Sequence, residues 1–203
     1  MEQRNQIVII GAGGQGRVVA DIARCLEYQQ ILFLDDGDAT CAVGKVADYP
    51  KYLQSADFFV AIGNTAIRRR IQTMLVENGA KIATLIHPKA VVAADVVIGP
   101  GTVVMAGAVI NSGAVIGDGA IINTCASVDH DCRVGSYVHV TVGARVCGTV
   151  HLGDDAWVGA GAVIIQNLSV CAGCMIGAGA VVIRNICEKG TYVGVPAKKL
   201  HKK

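Results

Sequence analysis

The sequence predicts two architectures in series: an α/β domain with a small parallel sheet over residues 1–88, then a parallel β-helix over residues 89–203. Two patterns carry this. In the first part, short apolar runs alternate with helical patterns, one of them entered through a glycine-rich turn. In the second, an aliphatic residue returns every six positions from Val92 to Val182 without a break. The composition agrees. With 52% hydrophobic residues, only 4% aromatic, and 25 glycines, it suits thin stacked turns better than a core built on rings.

Gln6–Ile10 reads as a buried strand, Gly11-Ala12-Gly13-Gly14-Gln15-Gly16 as a tight turn, and Arg17–Leu26 as an amphipathic helix. Ile31–Leu34 is a second strand, ending in Asp35 and Asp36. Asp57–Ile62 is a third, ending in Gly63 and Asn64, with a helix over Thr65–Asn78 and a strand over Lys81–Ile86. His87-Pro88 marks the junction, because proline follows the last strand and the repeat begins just beyond it. From there the aliphatic positions run Val92, Ile98, Val104, Ile110 and onward. Four residues after most of them stands a small side chain, such as Ala108, Ala114, Ala126, Ala144 or Cys174. Each unit is one short strand plus a turn, and stacking the units buries the aliphatic row continuously. A helix would need a period near 3.6 and a flat strand a period of 2. Neither fits.

Formal net charge is +2. The basic clusters, Arg68–Arg70 and the tail Lys198, Lys199, Lys202 and Lys203, read as solvated surface, so no nucleic-acid partner is expected. No run of about 18 uncharged apolar residues exists, which argues against a membrane span. The first residues lead straight into a strand, without the plan of a signal peptide, so the expected compartment is the cytoplasm. The eight cysteines would be reduced there. Cys171 and Cys174 form a single CxxC. A closed zinc site needs four ligands, so both are read as small apolar rungs and no metal is expected.

Gly11, Gly13 and Gly16 fit GxGxxG between a strand and a helix, with Asp35 about twenty residues on, the pattern of a dinucleotide site. About 85 residues are too few for two mononucleotide-binding halves. The reading is a half-sized, Rossmann-like domain that holds one nucleotide. Within the repeat, His130 interrupts the small and aliphatic pattern with a carboxylate on either side, Asp129 and Asp131. The residues alone leave two roles open: a general base oriented by a carboxylate, or a solvated turn histidine.

Ile9-Ile10-Gly11-Ala12-Gly13-Gly14, Phe33-Leu34-Asp35-Asp36, Ala61-Ile62-Gly63-Asn64, Asn123-Thr124, His130-Asp131-Cys132, His139 and Gly194-Val195-Pro196-Ala197-Lys198 carry a resemblance that spans nearly the whole chain. The sequence resembles the left-handed β-helix acyltransferases with hexapeptide repeats, and among them the sugar-nucleotide acetyltransferases of the PglD-like and NeuD-like group. The resemblance implies a left-handed parallel β-helix with three hexapeptides per coil, a homotrimer, and acetyl-CoA bound between neighbouring β-helices. It implies His130 as general base, oriented by Asp131 where relatives carry glutamate. It assigns His139, Ala160 and Ala178 to acetyl-CoA. A nucleotide sugar would be held by Gly13, Gly14, Gln15, Asp35, Asp36 and Gly63, with Gln15 standing where relatives have histidine. At 18 residues per coil, Gly148 falls one coil above His130, where its N–H could steady an oxyanion. The implied reaction is N-acetylation of the 4-amino group of a nucleotide-linked amino sugar of the bacillosamine type. The alternatives are O-acetylation of sialic acid or another sugar, a non-catalytic β-helix scaffold, and an NAD-binding regulator.

Overall fold

The structure, a computed structural model, describes residues 5–200 and divides into two compact units, Met1–Pro88 and Lys89–Lys203. Lys202 and Lys203 of the basic tail lie outside the described residues.

The first unit runs β1 (Gln6–Ile10), α1 (Gly14–Cys25), β2 (Gln30–Leu34), a 3₁₀ turn (Val46–Tyr52), β3 (Asp57–Val60), α2 (Thr65–Glu77) and β4 (Lys81–Ile82). The four strands are parallel in the order β2-β1-β3-β4. A parallel sheet is covered on both faces, so its central strands are apolar throughout: Ile7–Ile10 and Phe58–Val60 are buried. Leu34, Phe58, Val60, Ile71 and Leu75 knit α2 onto this sheet.

Three elements differ from the expectation. The first helix begins at Gly14, inside the glycine motif, rather than at Arg17. The whole glycine run was expected to form the turn, but packing draws its second half into the helix: a Cβ at Gly16 would stand 2.0 Å from the Gly11 carbonyl oxygen, so only glycine lets the helix sit this close to β1. The strand expected over Lys81–Ile86 is broken, since the Ala83 amide makes a last bond to the Phe58 carbonyl (2.9 Å) and a separate pair follows at Leu85–Ile86. Arg68 is not solvated surface. It is fully buried, and its guanidinium donates to the carbonyls of Ile62 (2.8 Å) and Gly63 (2.9 Å), bracing the turn between β3 and α2.

The second unit is a stack of two-residue strands joined by four-residue corners. Between Val91 and Val182 the strands pair in parallel at a spacing of 18 positions: Val109↔Ser127, Ser127↔Arg145, Arg145↔Val163 and Val163↔Val181 on one face. Three such faces make the prism. The inner positions of that face, Ile110, Val128, Val146, Ile164 and Val182, are at most 1% exposed, and Ala108, Ala126, Ala144, Ala162 and Ala180 stack beside them at 0%. One aliphatic column and one alanine column behind this face fill so narrow an interior, which explains the shortage of rings. Cys174 belongs to this buried set, and burial pushes its thiol up to about 11. The Cys171 and Cys174 sulfurs lie 3.3 Å apart as free thiols. At the top, Thr191–Val193 continues one face and Lys198–Lys199 folds back antiparallel on it. Among the described residues, no helix is long and apolar enough to cross a membrane.

Candidate active site

Two residues past each inner aliphatic position the chain turns a corner, and corner residues 18 apart stack in a column. One such column is Ser112, His130, Gly148, Gln166 and Arg184, following the rungs at Ile110, Val128, Val146, Ile164 and Val182. His130 lies directly under Gly148. A Cβ on that glycine would meet Nε2 at 2.5 Å and Cε1 at 2.6 Å, so any other residue would push the ring aside. The other ring nitrogen, Nδ1, is 2.9 Å from Asp131 Oδ2. With Nδ1–H donated to the carboxylate, Nε2 carries the free lone pair on the side of Gly148.

The local backbone holds this pair in place. Asp131 sits in the left-handed region (φ 58°), which aspartate tolerates, and this turns its carboxylate back onto the preceding imidazole. Asp129 Oδ1 accepts from the His130 amide (2.8 Å) and from Asn111 Nδ2 (2.7 Å) on the coil below, fixing the histidine backbone. The Asp131 hydrogen bond raises the His130 pKa above the ordinary imidazole value, opposed by desolvation and assisted by charge attraction from Asp129 and Asp131. The Asn111 and His130 bonds lower that of Asp129. The imidazole is therefore a strengthened base beside an amide, Gly148 N–H, that meets no acceptor among the described residues. The equivalent place after Ile98 is filled by Pro100, which has no N–H at all, so this corner amide is spare to the ladder.

His139 is on a different part of the prism. It occupies the outer position of a strand, between Ile121 and Trp157, and is 6% exposed. Its ring meets Trp157 edge-on at 4.3 Å between centroids. Asn123 Oδ1 accepts from the Thr124 amide (2.7 Å), which turns its NH₂ toward His139 Nε2 at 3.0 Å. Ala160 and Ala178 stack on the corner that follows this face, and neither amide meets an acceptor among the described residues. The structure thus joins His130, Asp131 and Gly148, and separately Ala160 and Ala178. Within one chain, a full face lies between the two corners.

In the first unit, Gly13, Gln15, Asp35, Asp36 and Gly63 line one cleft of about 450 Å³; Gly14 instead opens α1. Asp35 has a structural duty as well, since its two oxygens accept from the Ala12 and Gly37 amides (both 2.7 Å), tying the glycine turn to the end of β2. Those bonds, that to Ala12 first, hold its pKa down. Gln15 Nε2 is buried with no hydrogen-bond partner among the described residues. Arg70, which the sequence reading assigned to solvated surface, also lines the cleft, as do Ile67 and Ile71. The spacing 67, 70, 71 on a helix capped by Asn64 was the available signal.

A prism of six-residue rungs with a histidine–carboxylate pair on its corner, in a chain that also carries a small parallel α/β unit, defines a hexapeptide-repeat acyltransferase. Comparison with known proteins narrows this. Residues 6–75 match the PglD N-terminal domain, and residues 149–184 match the bacterial transferase hexapeptide (six repeats). The GDP-perosamine N-acetyltransferase of Escherichia coli O157:H7 is 32% identical over 172 residues, 79% of this chain and 78% of that protein. Among solved structures, the acetyltransferase domain of PglB from Neisseria gonorrhoeae FA1090, in complex with acetyl coenzyme A, is 40% identical with a TM-score of 0.94, covering 97% of this chain and 100% of that one. PerB from Caulobacter crescentus, in complex with CoA and GDP-perosamine, is 36% identical with a TM-score of 0.91, covering 97% of each chain. The chain belongs to the PglD-like sugar-nucleotide N-acetyltransferases, and its repeat region is the left-handed β-helix of that family.

Proposed function

We propose that the protein transfers the acetyl group of acetyl-CoA to the 4-amino group of a nucleotide-linked 4-amino-4,6-dideoxy sugar, in the cytoplasm, as a homotrimer. The observation that carries this is the free Nε2 of His130 facing the spare amide of Gly148. The residue 1–88 domain holds the nucleotide in its glycine-lined cleft, with Gly13, Gln15, Asp35, Asp36 and Gly63 around it. In the reaction, the sugar amine attacks the thioester carbonyl while His130 Nε2 takes its proton. The carbonyl oxygen becomes an oxyanion, accepting from Gly148 N–H. Collapse expels the CoA thiolate, and the imidazolium returns the proton to it. Asp131 keeps the ring in the tautomer this requires and stabilises the imidazolium.

Separation of the two corners supports the trimer. His130 of one chain and the Ala160 and Ala178 amides of another can address the same acetyl-CoA only if two prisms lie side by side. The outward valines Val91 (63% exposed) and Val97 (59%) give such an assembly apolar surface to cover. Free thiols at all eight cysteines suit a reducing compartment. The relatives support the substrate class, since GDP-perosamine is bound by the Caulobacter protein.

The test is acetyl-CoA-dependent thiol release across UDP-, GDP- and dTDP-linked 4-amino sugars, with free sialic acid as the hydroxyl contrast. One nucleotide amino sugar should be turned over, and His130→Ala should cut its kcat by on the order of a hundredfold or more. Turnover of sialic acid alone, or an unchanged rate in the variant, overturns the reading.

A further inference from the structure

Asp131 and His130 form the pair on which the site depends, yet both are open to solvent, with side chains 64% and 59% exposed. Burial does not lock their geometry, and an exposed pair keeps one arrangement only if something else fixes it. The coil below does so. In the column of Asp131, the residue one coil down is Gly113, and a Cβ there would stand 2.5 Å from Asp131 Oδ1 and 3.5 Å from its Cγ. One carboxylate oxygen thus lies in the space that a side chain at 113 would fill, while the other is 2.9 Å from His130 Nδ1.

The turn itself does not call for glycine at 113. Its φ is 73°, and in the three coils above the same place is held by Asp131, Thr149 and Asn167 at 58°, 59° and 61°. The left-handed conformation admits side chains along this column, so the bare position at 113 answers to space. It is also held firmly. Asp95 Oδ2 accepts from the Gly113 amide (3.0 Å) and from Ser112 Oγ (2.8 Å), and the Arg133 guanidinium donates to the Gly113 carbonyl (2.6 Å). The Asp131 amide donates to the Ser112 carbonyl (3.0 Å), which ties the two corners together.

We infer that Gly113 is a positioning residue for the catalytic base: the gap it leaves seats the Asp131 carboxylate in the conformation that holds His130. This rests on the acyltransferase reading above. The charged groups around the imidazole are Asp129 and Asp131 on its own corner, Asp95 on the coil below and Arg133 on the following strand, the last two tied to Gly113. Gly113→Ala keeps all four charges and displaces only the carboxylate that bonds the ring.

The test is that variant, read by kcat against pH. With the carboxylate displaced, the His130 pKa loses its main source of elevation, and the rising limb moves to lower pH. The plateau should fall by about tenfold, with the KM for both substrates within about twofold, since the seat acts on the base and touches neither substrate. Gly79→Ala measures the backbone cost alone. Its φ is 79°, nothing lies within 4 Å of a Cβ there, and its profile should match wild type. With Asp131→Ala already in place the methyl has nothing to displace, so adding Gly113→Ala should change kcat by less than about twofold. A further loss of about tenfold on that background would overturn the seat, as would an unmoved limb in the single variant. Should the alanine protein not fold, Gly113→Asn brings the same Cβ in a residue that tolerates this turn, and the same outcomes decide. NMR titration of the His130 ring follows its pKa and tautomer without turnover. A wild-type protein inactive with acetyl-CoA would sink the acyltransferase reading. A His130 pKa that drops in Gly113→Ala would still establish the seat, and one that stays would reject it.

Discussion

In the β-helix, a residue's neighbour is found by adding 18 to its number. In the N-terminal domain, the group that matters sits wherever a single loop happens to return to the sheet. Gly148 reaches His130 by the first rule, through coil stacking alone. Asp35 reaches Ala12 by the second, through a turn that occurs once in the chain. The two kinds of order also differ in what tolerates change. A coil residue is held by ladders above and below it, so an outward group can be altered with the frame intact. A loop such as Gly11–Gly16 is held by its own close contacts, and an added methyl at Gly11 or Gly16 strikes backbone.

The strongest test of the first rule is Gly148→Ala. The new methyl would lie 2.5 Å from His130 Nε2, but the imidazole side chain is 59% exposed and can swing outward. The ring then leaves Asp131 and uncovers the amide at once. We expect kcat to fall on the order of a hundredfold, the scale of losing an oriented base or an oxyanion donor. The melting temperature should stay within a few degrees of wild type, because the methyl meets only the exposed imidazole, which can move aside, and no backbone. A variant that unfolds would show that Gly148 serves the coil rather than the site.

These contrasts decide what could be read from the sequence. The period of six, the small residues between rungs and the column through His130 are consequences of repetition, so counting recovers them. The same counting places Arg184 above Gln166, although the sequence reading put its weight on His130 and left that column unextended. The start of α1, the burial of Arg68 and the place of Arg70 escaped for a different reason. Each depends on how close two elements pack. The close approach of Gly16 to Gly11, or a guanidinium capping two carbonyls, leaves no periodic trace. A run of three arginines looks solvated until a helix turns one into the sheet and another toward a cleft. Cys174 was legible because it falls in register with the small residues between rungs, whereas Cys171, expected as a rung too, stands half-buried at a corner just past Val170.

A smaller effect is expected at Asp131. Its hydrogen bond is the main cause of the raised His130 pKa, and a general base works only in its neutral form. Rate should therefore rise with pH through the His130 pKa and level off above it. In Asp131→Asn the carboxylate is gone, the imidazole pKa drops, and the rising limb moves to lower pH. The plateau should fall by about tenfold, since a weaker base with an unfixed tautomer takes the proton less readily. The measurement is kcat against pH for both proteins. A limb that stays put, or shifts toward alkaline pH, would mean that His130 is not the group titrating.

The smallest effect on the reaction concerns the glycine turn, where two positions three residues apart separate fold from ligand. Gly16→Ala places a methyl 2.0 Å from a backbone oxygen and should cost about 3 kcal/mol, the upper range for overpacking. Gly13 is different. Its φ of −73° suits any residue, and no protein atom lies within 4 Å of a Cβ there. Gly13→Ala should leave the melting temperature unchanged. Yet Gly13 lines the cleft at the start of α1, where backbone amides face a phosphate most closely. If the nucleotide lies there, the methyl stands between it and the amides. The KM for the nucleotide sugar should then rise by about fivefold to tenfold, or about 1 kcal/mol, with the KM for acetyl-CoA unaltered. A Gly13→Ala protein that binds its nucleotide sugar as tightly as wild type would move the phosphates away from this turn.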